Sequence, residues 1–200
     1  MNPRALPEGF APYAWSPSSR EVAERHGLRP EQVLRYDQNT PPDTGVPRVA
    51  LAPSFARLND YPDGTYAAVR AAAAAYCGVG AGQVVAGAGA DELILLCAQA
   101  YLGPGTAAAV SAPTYGLYRI ATQLQGAEVV SDPAGAALVW ICNPNNPTGR
   151  LLEPAAIAAL AAEHEDAVVV VDEAYFEYAG ATCIGLLDKH PNVIVLRTLS

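Results

Sequence analysis

Charged residues are scarce in this sequence, lysine above all, and the charges present form no basic cluster. Only 16% of the 200 residues are charged, compared with about 25% in an average globular protein. The formal net charge is −8 and the basic residues are scattered, so we expect no binding to a nucleic-acid backbone. No run of about 18 or more apolar residues occurs, so we expect no membrane span. The first residues lack the apolar core of a signal peptide, and we therefore expect a cytoplasmic protein.

The cysteines and histidines show no spacing typical of metal ligands. None of the four cysteines forms a Cys-x-x-Cys pair, and each lies in an apolar segment, which is typical of free thiols in a reducing compartment. The three histidines are far apart in the sequence, so we expect surface or helix-end residues. The sequence therefore predicts no metal site.

The apolar pattern predicts an α/β protein. Helices are expected over residues 17–26 (capped by Ser16 or Ser18), 66–77, 91–101, 115–125 and 153–164, and strands over 83–86, 107–111, 128–131, 138–142, 167–171 and 192–196. The last three strands are nearly continuous apolar runs, as in strands covered on both faces. Strands that alternate with helices predict a mostly parallel sheet in a three-layer α/β/α architecture. Residues 1–60 are rich in proline, so we expect an irregular N-terminal segment before the main domain over residues 61–200.

Polar motifs follow the predicted strands at their carboxyl ends, where ligands of parallel sheets bind. Residues 143–149 read Asn-Pro-Asn-Asn-Pro-Thr-Gly directly after the strand over 138–142. This loop is either a rigid ligand-binding element or a plain turn with asparagine side-chain hydrogen bonds. Asp172 follows four consecutive valines, and it is either a ligand of a functional site or a solvated loop residue.

A glycine-rich turn over residues 87–92 precedes a predicted helix. Because the first N–H groups of a helix have no internal partner and the helix dipole is positive there, this turn can bind a phosphate. It can also be a structural turn in which Asp91 caps the helix. The turn resembles the Gly-x-Gly-x-x-Gly dinucleotide fingerprint, but Glu92 occupies the third glycine position. Farther along, Tyr115 lies at the mouth of a predicted strand, where its ring either stacks on a planar ligand or joins the core.

Five motifs, in this order and spacing, resemble the fold-type I pyridoxal-phosphate aminotransferases, most closely the histidinol-phosphate aminotransferase group. They are Gly-Ala-Asp-Glu at 89–92, Pro-Thr-Tyr-Gly at 113–116, the loop over 143–149, Asp-Glu-Ala-Tyr at 172–175 and Arg-Thr-Leu-Ser at 197–200. The resemblance covers most of the sequence and corresponds to the first half of a full-length family member. It implies a pyridoxal 5'-phosphate cofactor and reversible amino transfer between histidinol phosphate, as amino donor, and 2-oxoglutarate, a 2-oxo acid. It also implies a homodimer with shared active sites.

Other functions remain open. An aromatic aminotransferase or a phospho-amino-acid decarboxylase would share the fold and the cofactor. A NAD-dependent oxidoreductase built on the turn at 87–92 would leave Asn146, Asp172 and Tyr175 without a role. A chain that truly ended at Ser200 would be a catalytically inactive ligand-binding domain.

The resemblance implies roles for individual residues around the cofactor. The residues that would line its phosphate are Ala90, Asp91, Glu92, Thr198 and Ser200. Tyr115 would cover the ring, and Asn146 and Tyr175 would hydrogen-bond to the phenolic oxygen. Asp172 would keep the ring nitrogen protonated. We therefore expect Asp172 and Tyr175 to be catalytic.

The resemblance also extends to residues outside the strand ends. Tyr61 would reach the phosphate of the neighbouring subunit, and Asn39 would border the substrate. Residues 39–42 read Asn-Thr-Pro-Pro where the family usually has Asn-Glu-Asn-Pro. In the family, Arg-Thr-Leu-Ser is followed by the cofactor-binding lysine, whereas Lys189, the one lysine here, precedes a turn. We therefore expect a lysine directly after Ser200, with residues 61–200 as the first part of the cofactor-binding large domain and residues 1–60 as an arm and substrate-side segment.

Overall fold

The structure is a computed structural model that describes residues 7, 9–11, 16–37 and 64–199. The chain divides into two compact units, one within residues 14–68 and one that consists mainly of residues 69–199. Within the described ranges, no helix has the length and apolar character needed to cross a bilayer.

The first helix, α1 (Ser19–His26), forms where the sequence predicts it and is closed at both ends. The Ser18 side chain accepts a hydrogen bond from the Glu21 N–H, and the Glu21 carboxylate accepts one from the Ser18 N–H. At the other end, Gly27 adopts a left-handed conformation with φ of 66°. This capping box and glycine stop fix the helix within the predicted residues 17–26.

From residue 67 onward, helices and strands alternate along the chain. The helices are α2 (Ala67–Cys77), α3 (Gly89–Tyr101), α4 (Leu117–Leu124), α5 (Pro154–Glu163) and α6 (Phe176–Ala179). The strands are β1 (Ala107–Val110), β2 (Glu128–Val130), β3 (Leu138–Cys142), β4 (Val168–Asp172) and β5 (Val193–Leu196). Within the described residues these strands form one sheet in the order β2-β1-β3-β4-β5, and every pairing is parallel. The predicted α/β fold with a mostly parallel sheet is confirmed.

The sheet carries a hydrophobic core on each face. One face packs against α3 and α4, in a core that includes Ile94, Tyr118, Leu138, Trp140 and Val170. The other face packs against α5, in a core that includes Val139, Ile141, Ile157, Val169 and Val171. Alternate residues of β3 and β4 thus point to opposite faces, as expected for extended strands. Helices on both faces make up the three predicted layers.

The strand predicted over residues 83–86 is wrong. Residues 81–83 form a short 3-10 helix, and the extended residues after it join no sheet in the described part of the chain. The guanidinium of Arg70, on α2, donates to the Ala81 and Val84 carbonyls at 2.8 and 2.9 Å. Within residues 83–86, the Val84 carbonyl is therefore bonded to a side chain instead of a strand partner, and Val85 is 73% exposed. The turn at 87–92 consequently lacks the preceding strand that a dinucleotide fingerprint requires.

The carboxyl ends of β3, β4 and β5 lie side by side at one edge of the sheet. Cys142, Asp172 and Leu196 are neighbours in register. Asp172 continues the alternate positions of β4 that face α3 and α4. Glu173 points the other way, because its carboxylate bonds to the N–H of Cys183, which belongs to the core on the α5 side. This edge therefore presents its polar side chains on opposite faces.

Candidate active site

Asp172 is a buried carboxyl at the end of β4, only 3% exposed. The Tyr118 hydroxyl donates to its Oδ2 at 2.7 Å, and the Ala174 N–H donates to its Oδ1 at 3.0 Å. Burial raises the pKa of Asp172, and these two hydrogen bonds act against that shift. Among the ion pairs of the described residues, none includes Asp172. A buried carboxylate without a cation is unfavourable, so this position suits a ligand that brings a positive charge.

A line of aromatic contacts connects Asp172 to the start of α3. The Tyr115 hydroxyl donates to Asp91 Oδ1 at 3.0 Å. The Tyr115 ring meets Tyr118 edge-on, with centroids 5.7 Å apart. Tyr118 in turn stacks on Trp140 at 5.2 Å with an interplanar angle of 13°. Tyr115, Asp91 and Asp172, three of the predicted site residues, therefore belong to one connected group.

Tyr118 is a site residue that the sequence reasoning missed. It is fully buried on α4, three residues after Tyr115. In the helix predicted over residues 115–125, side chains three apart would lie on the same face. The spacing of the two tyrosines was therefore the signal that could have predicted a second aromatic residue facing the same edge of the sheet.

The start of α3 is a narrow backbone turn with Thr198 beside it. Ala88 is the N-cap residue, so the alternative of Asp91 as the cap is wrong. The Glu92 carboxylate folds back and accepts from the Ala88 N–H, and a Cβ atom on Gly87 would lie 2.9 Å from Glu92 Oε2. Gly89 has φ of 77°. A Cβ atom added to Gly89 would lie 3.9 Å from Thr198 Oγ1. The first turn of α3, with Ala90 and Asp91, thus lies next to the Thr198 hydroxyl.

The three asparagines of the loop over 143–149 have different partners. Asn143 exchanges two hydrogen bonds with the backbone of Leu152, at 2.7 and 3.0 Å. Asn145 donates to the Pro113 carbonyl and to Thr148, and it accepts from the Thr114 hydroxyl at 2.7 Å. Asn143 and Asn145 thus make the side-chain hydrogen bonds expected if the loop is a plain turn.

Asn146 differs from the other two asparagines because its amide side chain is not used by the loop. Its backbone N–H donates to Cys142 Sγ at 3.3 Å, which places it at the carboxyl end of β3. Its side-chain amide makes no hydrogen bond within the described residues. Asn146 is therefore the asparagine whose amide can bind a ligand at the edge that carries Asp172.

Beyond β4 and β5, one buried ion pair links the two chain segments. Arg197 Nε donates to Glu173 Oε2 at 2.8 Å, and Glu173 is fully buried. Tyr175 is half-buried at the N-cap of α6, with its ring 6.4 Å from that of Tyr178. The sequence reasoning assigned no role to Glu173 or Arg197. A second acidic residue directly after Asp172 was a signal, since a buried charge in apolar surroundings needs a partner.

The remaining predictions concern undescribed residues, the cysteine thiols and metal binding. Tyr61, Asn39 and Ser200 lie outside the described residues. The four cysteines are free thiols. In the described part of the chain, no three His, Cys, Asp or Glu side chains are grouped so as to hold a metal ion. A groove at the opposite edge of the sheet, among residues 105–107, 128, 133–137 and 163–167, contains none of the predicted site residues.

We expect Tyr118→Phe to raise the pKa of Asp172 further while the fold stays intact. The change removes the hydroxyl that donates to Asp172 but keeps the ring that stacks on Trp140. An NMR titration of the Asp172 carboxyl carbon, assigned by comparison with Asp172→Asn, measures the shift. Tyr101→Phe, at an exposed tyrosine on α3, is the control. An unchanged or lower midpoint in Tyr118→Phe would contradict the role given to this hydroxyl.

Comparison with known proteins identifies relatives over most of the chain. The histidinol-phosphate aminotransferase of Methanothermobacter thermautotrophicus is 33% identical over 210 residues, which cover 94% of this chain and 56% of the relative. That of Limosilactobacillus fermentum is 39% identical over 166 residues, which cover 72% of this chain and 46% of the relative. The chain thus spans about half the length of the curated relatives that it matches.

Solved structures share the fold at lower identity. Histidinol-phosphate aminotransferase from Sinorhizobium meliloti, in complex with pyridoxal-5'-phosphate, superposes with a TM-score of 0.76 at 22% identity, covering 96% of this chain and 59% of that one. L-threonine-O-3-phosphate decarboxylase from Porphyromonas gingivalis gives a TM-score of 0.66 at 24% identity, covering 75% and 52%. The profile of the family described as aminotransferase class I and II matches residues 31–200. Because this match takes in most of the sequence, the chain belongs to the class I and II aminotransferases.

Proposed function

We propose that the protein carrying this chain catalyses pyridoxal-phosphate-dependent amino transfer, with histidinol phosphate as amino donor and 2-oxoglutarate as acceptor. The names of the curated relatives support the substrate, and family membership supports the type of reaction. The structural observation that carries the proposal is Asp172, a buried carboxyl without an ion-pair partner in the described residues. Tyr118, Tyr115 and Asp91 connect it to the start of α3.

The chemistry of these side chains fits pyridoxal phosphate. The start of α3, with Thr198 beside Gly89, suits a phosphate group. The buried carboxyl of Asp172 suits a protonated ring nitrogen, and the amide of Asn146 suits a phenolic oxygen. The cofactor carries these three groups on one planar ring. The donor set at this edge of the sheet therefore supports it.

When bound, pyridoxal phosphate supplies the electron sink that allows a bond at the substrate Cα to break. Asp172 holds a proton at the ring nitrogen, because an adjacent carboxylate favours the cation. Asn146 donates to the phenolic oxygen without adding a titratable group, and Tyr175 donates to the same oxygen. Tyr115, oriented by its hydrogen bond to Asp91, covers the ring.

The start of α3 and the residues after β5 are the proposed phosphate-binding groups. The free N–H groups of the first turn of α3, at Ala90 and Asp91, bind the phosphate together with the Thr198 hydroxyl. Ser200 would add a second hydroxyl. The amine that moves the proton is expected from a lysine directly after Ser200, and this stays a prediction.

Assembly, location and domain limits are further proposals that rest on the family resemblance. We propose a homodimer in which Tyr61 reaches the site of the neighbouring subunit, with Asn39 near the substrate. We also propose a cytoplasmic location. Residues 1–60 would form the arm and substrate-side segment, and residues 61–200 the first part of the large domain.

A substrate panel tests the proposed function. The protein carrying this chain is assayed for glutamate formation from 2-oxoglutarate with histidinol phosphate, histidinol, phenylalanine and O-phosphothreonine. We expect kcat/KM for histidinol phosphate to exceed that for histidinol about 100-fold or more, because a site built for a polar group rejects an analogue without it. Preference for phenylalanine would indicate an aromatic aminotransferase instead. Release of carbon dioxide from O-phosphothreonine would indicate a decarboxylase.

A further inference from the structure

A cluster of four side chains, here called the Arg197 cluster, ties the ends of β4 and β5 to the segment between them. It consists of Glu173, Phe176, Thr182 and Arg197. The Arg197 guanidinium donates to Glu173 Oε2 at 2.8 Å and to the Thr182 hydroxyl at 2.9 Å. Its Cζ also lies 3.5 Å from the centroid of the Phe176 ring. One guanidinium thus contacts two other parts of the chain, the segment over residues 173–176 and Thr182.

Three predicted cofactor ligands are sequence neighbours of members of this cluster. Asp172 directly precedes Glu173, Tyr175 directly precedes Phe176, and Thr198 directly follows Arg197. Contacts to the same guanidinium therefore link the segment that carries Asp172 and Tyr175 to the segment that carries Thr198.

The cluster gives Glu173 a fixed orientation through hydrogen bonds to both of its carboxylate oxygens. Apolar residues of similar volume often stabilise a buried position as well as an ion pair does. Here both oxygens of Glu173 are occupied: Oε1 accepts from the Cys183 N–H, and Oε2 accepts from Arg197 and Thr182. The carboxylate cannot rotate without losing hydrogen bonds, and the planar fork of arginine fixes the angle between the partners.

We propose that Glu173 and Arg197 are positioning residues that hold Thr198 against the start of α3, so that the phosphate site is formed before the cofactor binds. Glu173 points away from the face that carries Asp172, so it acts through its neighbours and not as a ligand. The arrangement that the pair would preserve is the proximity of the Thr198 hydroxyl to Gly89, since Thr198 Oγ1 lies 3.9 Å from where a Cβ atom on Gly89 would be. The identity of the ligand rests on the proposed function.

The double substitution Glu173→Gln with Arg197→Met tests this role. It removes both charges together and leaves no unpaired buried ion, while the glutamine oxygen can still accept from the Cys183 N–H. Dissociation constants of pyridoxal phosphate and of pyridoxal, which lacks the phosphate, are measured on the cofactor-free protein. We expect the preference for the phosphorylated form to fall at least tenfold, with little change in the affinity for pyridoxal. The matched control is Arg119→Met with Glu163→Gln, the same changes at exposed positions.

The outcomes separate the two proposals. A wild-type protein that does not prefer pyridoxal phosphate over pyridoxal overturns the proposed function, and the positioning role with it. A wild-type preference that the double variant retains overturns the positioning role alone. An equal loss of both ligands also overturns it, because it indicates a purely structural pair. If the double variant does not fold, Arg197→Lys is measured instead, because lysine keeps the positive charge but lacks the planar fork of the guanidinium. A reduced preference for pyridoxal phosphate over pyridoxal supports the proposal, and an unchanged preference overturns it.

Discussion

Asp172→Asn is expected to lower kcat of amino transfer about 10- to 1000-fold and to raise the Tm of the cofactor-free protein at neutral pH. The loss of activity follows from the proposed role of Asp172, which is to hold a proton at the ring nitrogen. A carboxylate beside a cation shifts a pKa by about 1–3 units, and each unit is a factor of ten in the protonated fraction. The asparagine variant supplies no negative charge to keep that proton bound.

The gain in stability follows from the burial of Asp172. Its pKa in the folded protein is raised above the ordinary value of 3.8 by burial. The folded state therefore binds this proton more tightly than the unfolded chain does. The resulting contribution to stability is fully present below the unfolded pKa and is lost as the pH rises through the folded pKa. An asparagine avoids this loss, since its oxygen can accept from the Ala174 N–H and its amide can donate to the Tyr118 oxygen.

Thermal unfolding of the cofactor-free proteins across pH measures this effect. We expect the Tm of Asp172→Asn to exceed that of the wild type most at neutral pH, and the difference to shrink as the pH falls toward 3.8. Asp166→Asn, at an exposed position outside the site, is the control and should change neither Tm nor kcat. A wild type more stable than Asp172→Asn at neutral pH would contradict the account of burial. Activity within a factor of two would contradict the role at the ring nitrogen.

The β4 segment shows how far the sequence alone could predict this fold and site. Four valines in a row predict a strand covered on both faces, and an aspartate directly after them predicts a polar group at the strand end. Both features depend only on local composition and on the alternation of side chains. The structure confirms the strand, and its register places Asp172 between Cys142 and Leu196.

Contacts between distant segments could not be predicted in this way. The strand expected at residues 83–86 does not form, and the carbonyl of Val84 accepts instead from Arg70, on another element. The hydrogen bond of Tyr118 to Asp172 depends on the rotation of α4 against the sheet, which the sequence does not fix. The three asparagines of the 143–149 loop have the same chemistry, and only the loop conformation separates their roles.

The different hydrogen-bond partners of these asparagines lead to the largest expected effect on stability. Asn143→Ala should lower the free energy of unfolding by about 2–4 kcal/mol, because it leaves the Leu152 N–H and carbonyl without their partner. Asn146→Ala, the same change three residues away, should stay within about 0.5 kcal/mol of the wild type, since its side chain bonds to no described residue. Urea unfolding of the two cofactor-free variants measures both values.

Cofactor affinity should be reduced more by Asn146→Ala than by Asn143→Ala, which is the opposite of the order expected for stability. Asn146→Ala removes the amide proposed to donate to the phenolic oxygen, and a hydrogen bond to a charged group contributes about 1.5–3 kcal/mol, or roughly 10- to 100-fold in the dissociation constant of pyridoxal phosphate. The site would thus lose affinity in a variant whose fold is unaffected. Equal losses of stability in the two variants would show that Asn146 is structural, like Asn143 and Asn145. An unchanged dissociation constant in Asn146→Ala would leave the phenolic oxygen to Tyr175 alone.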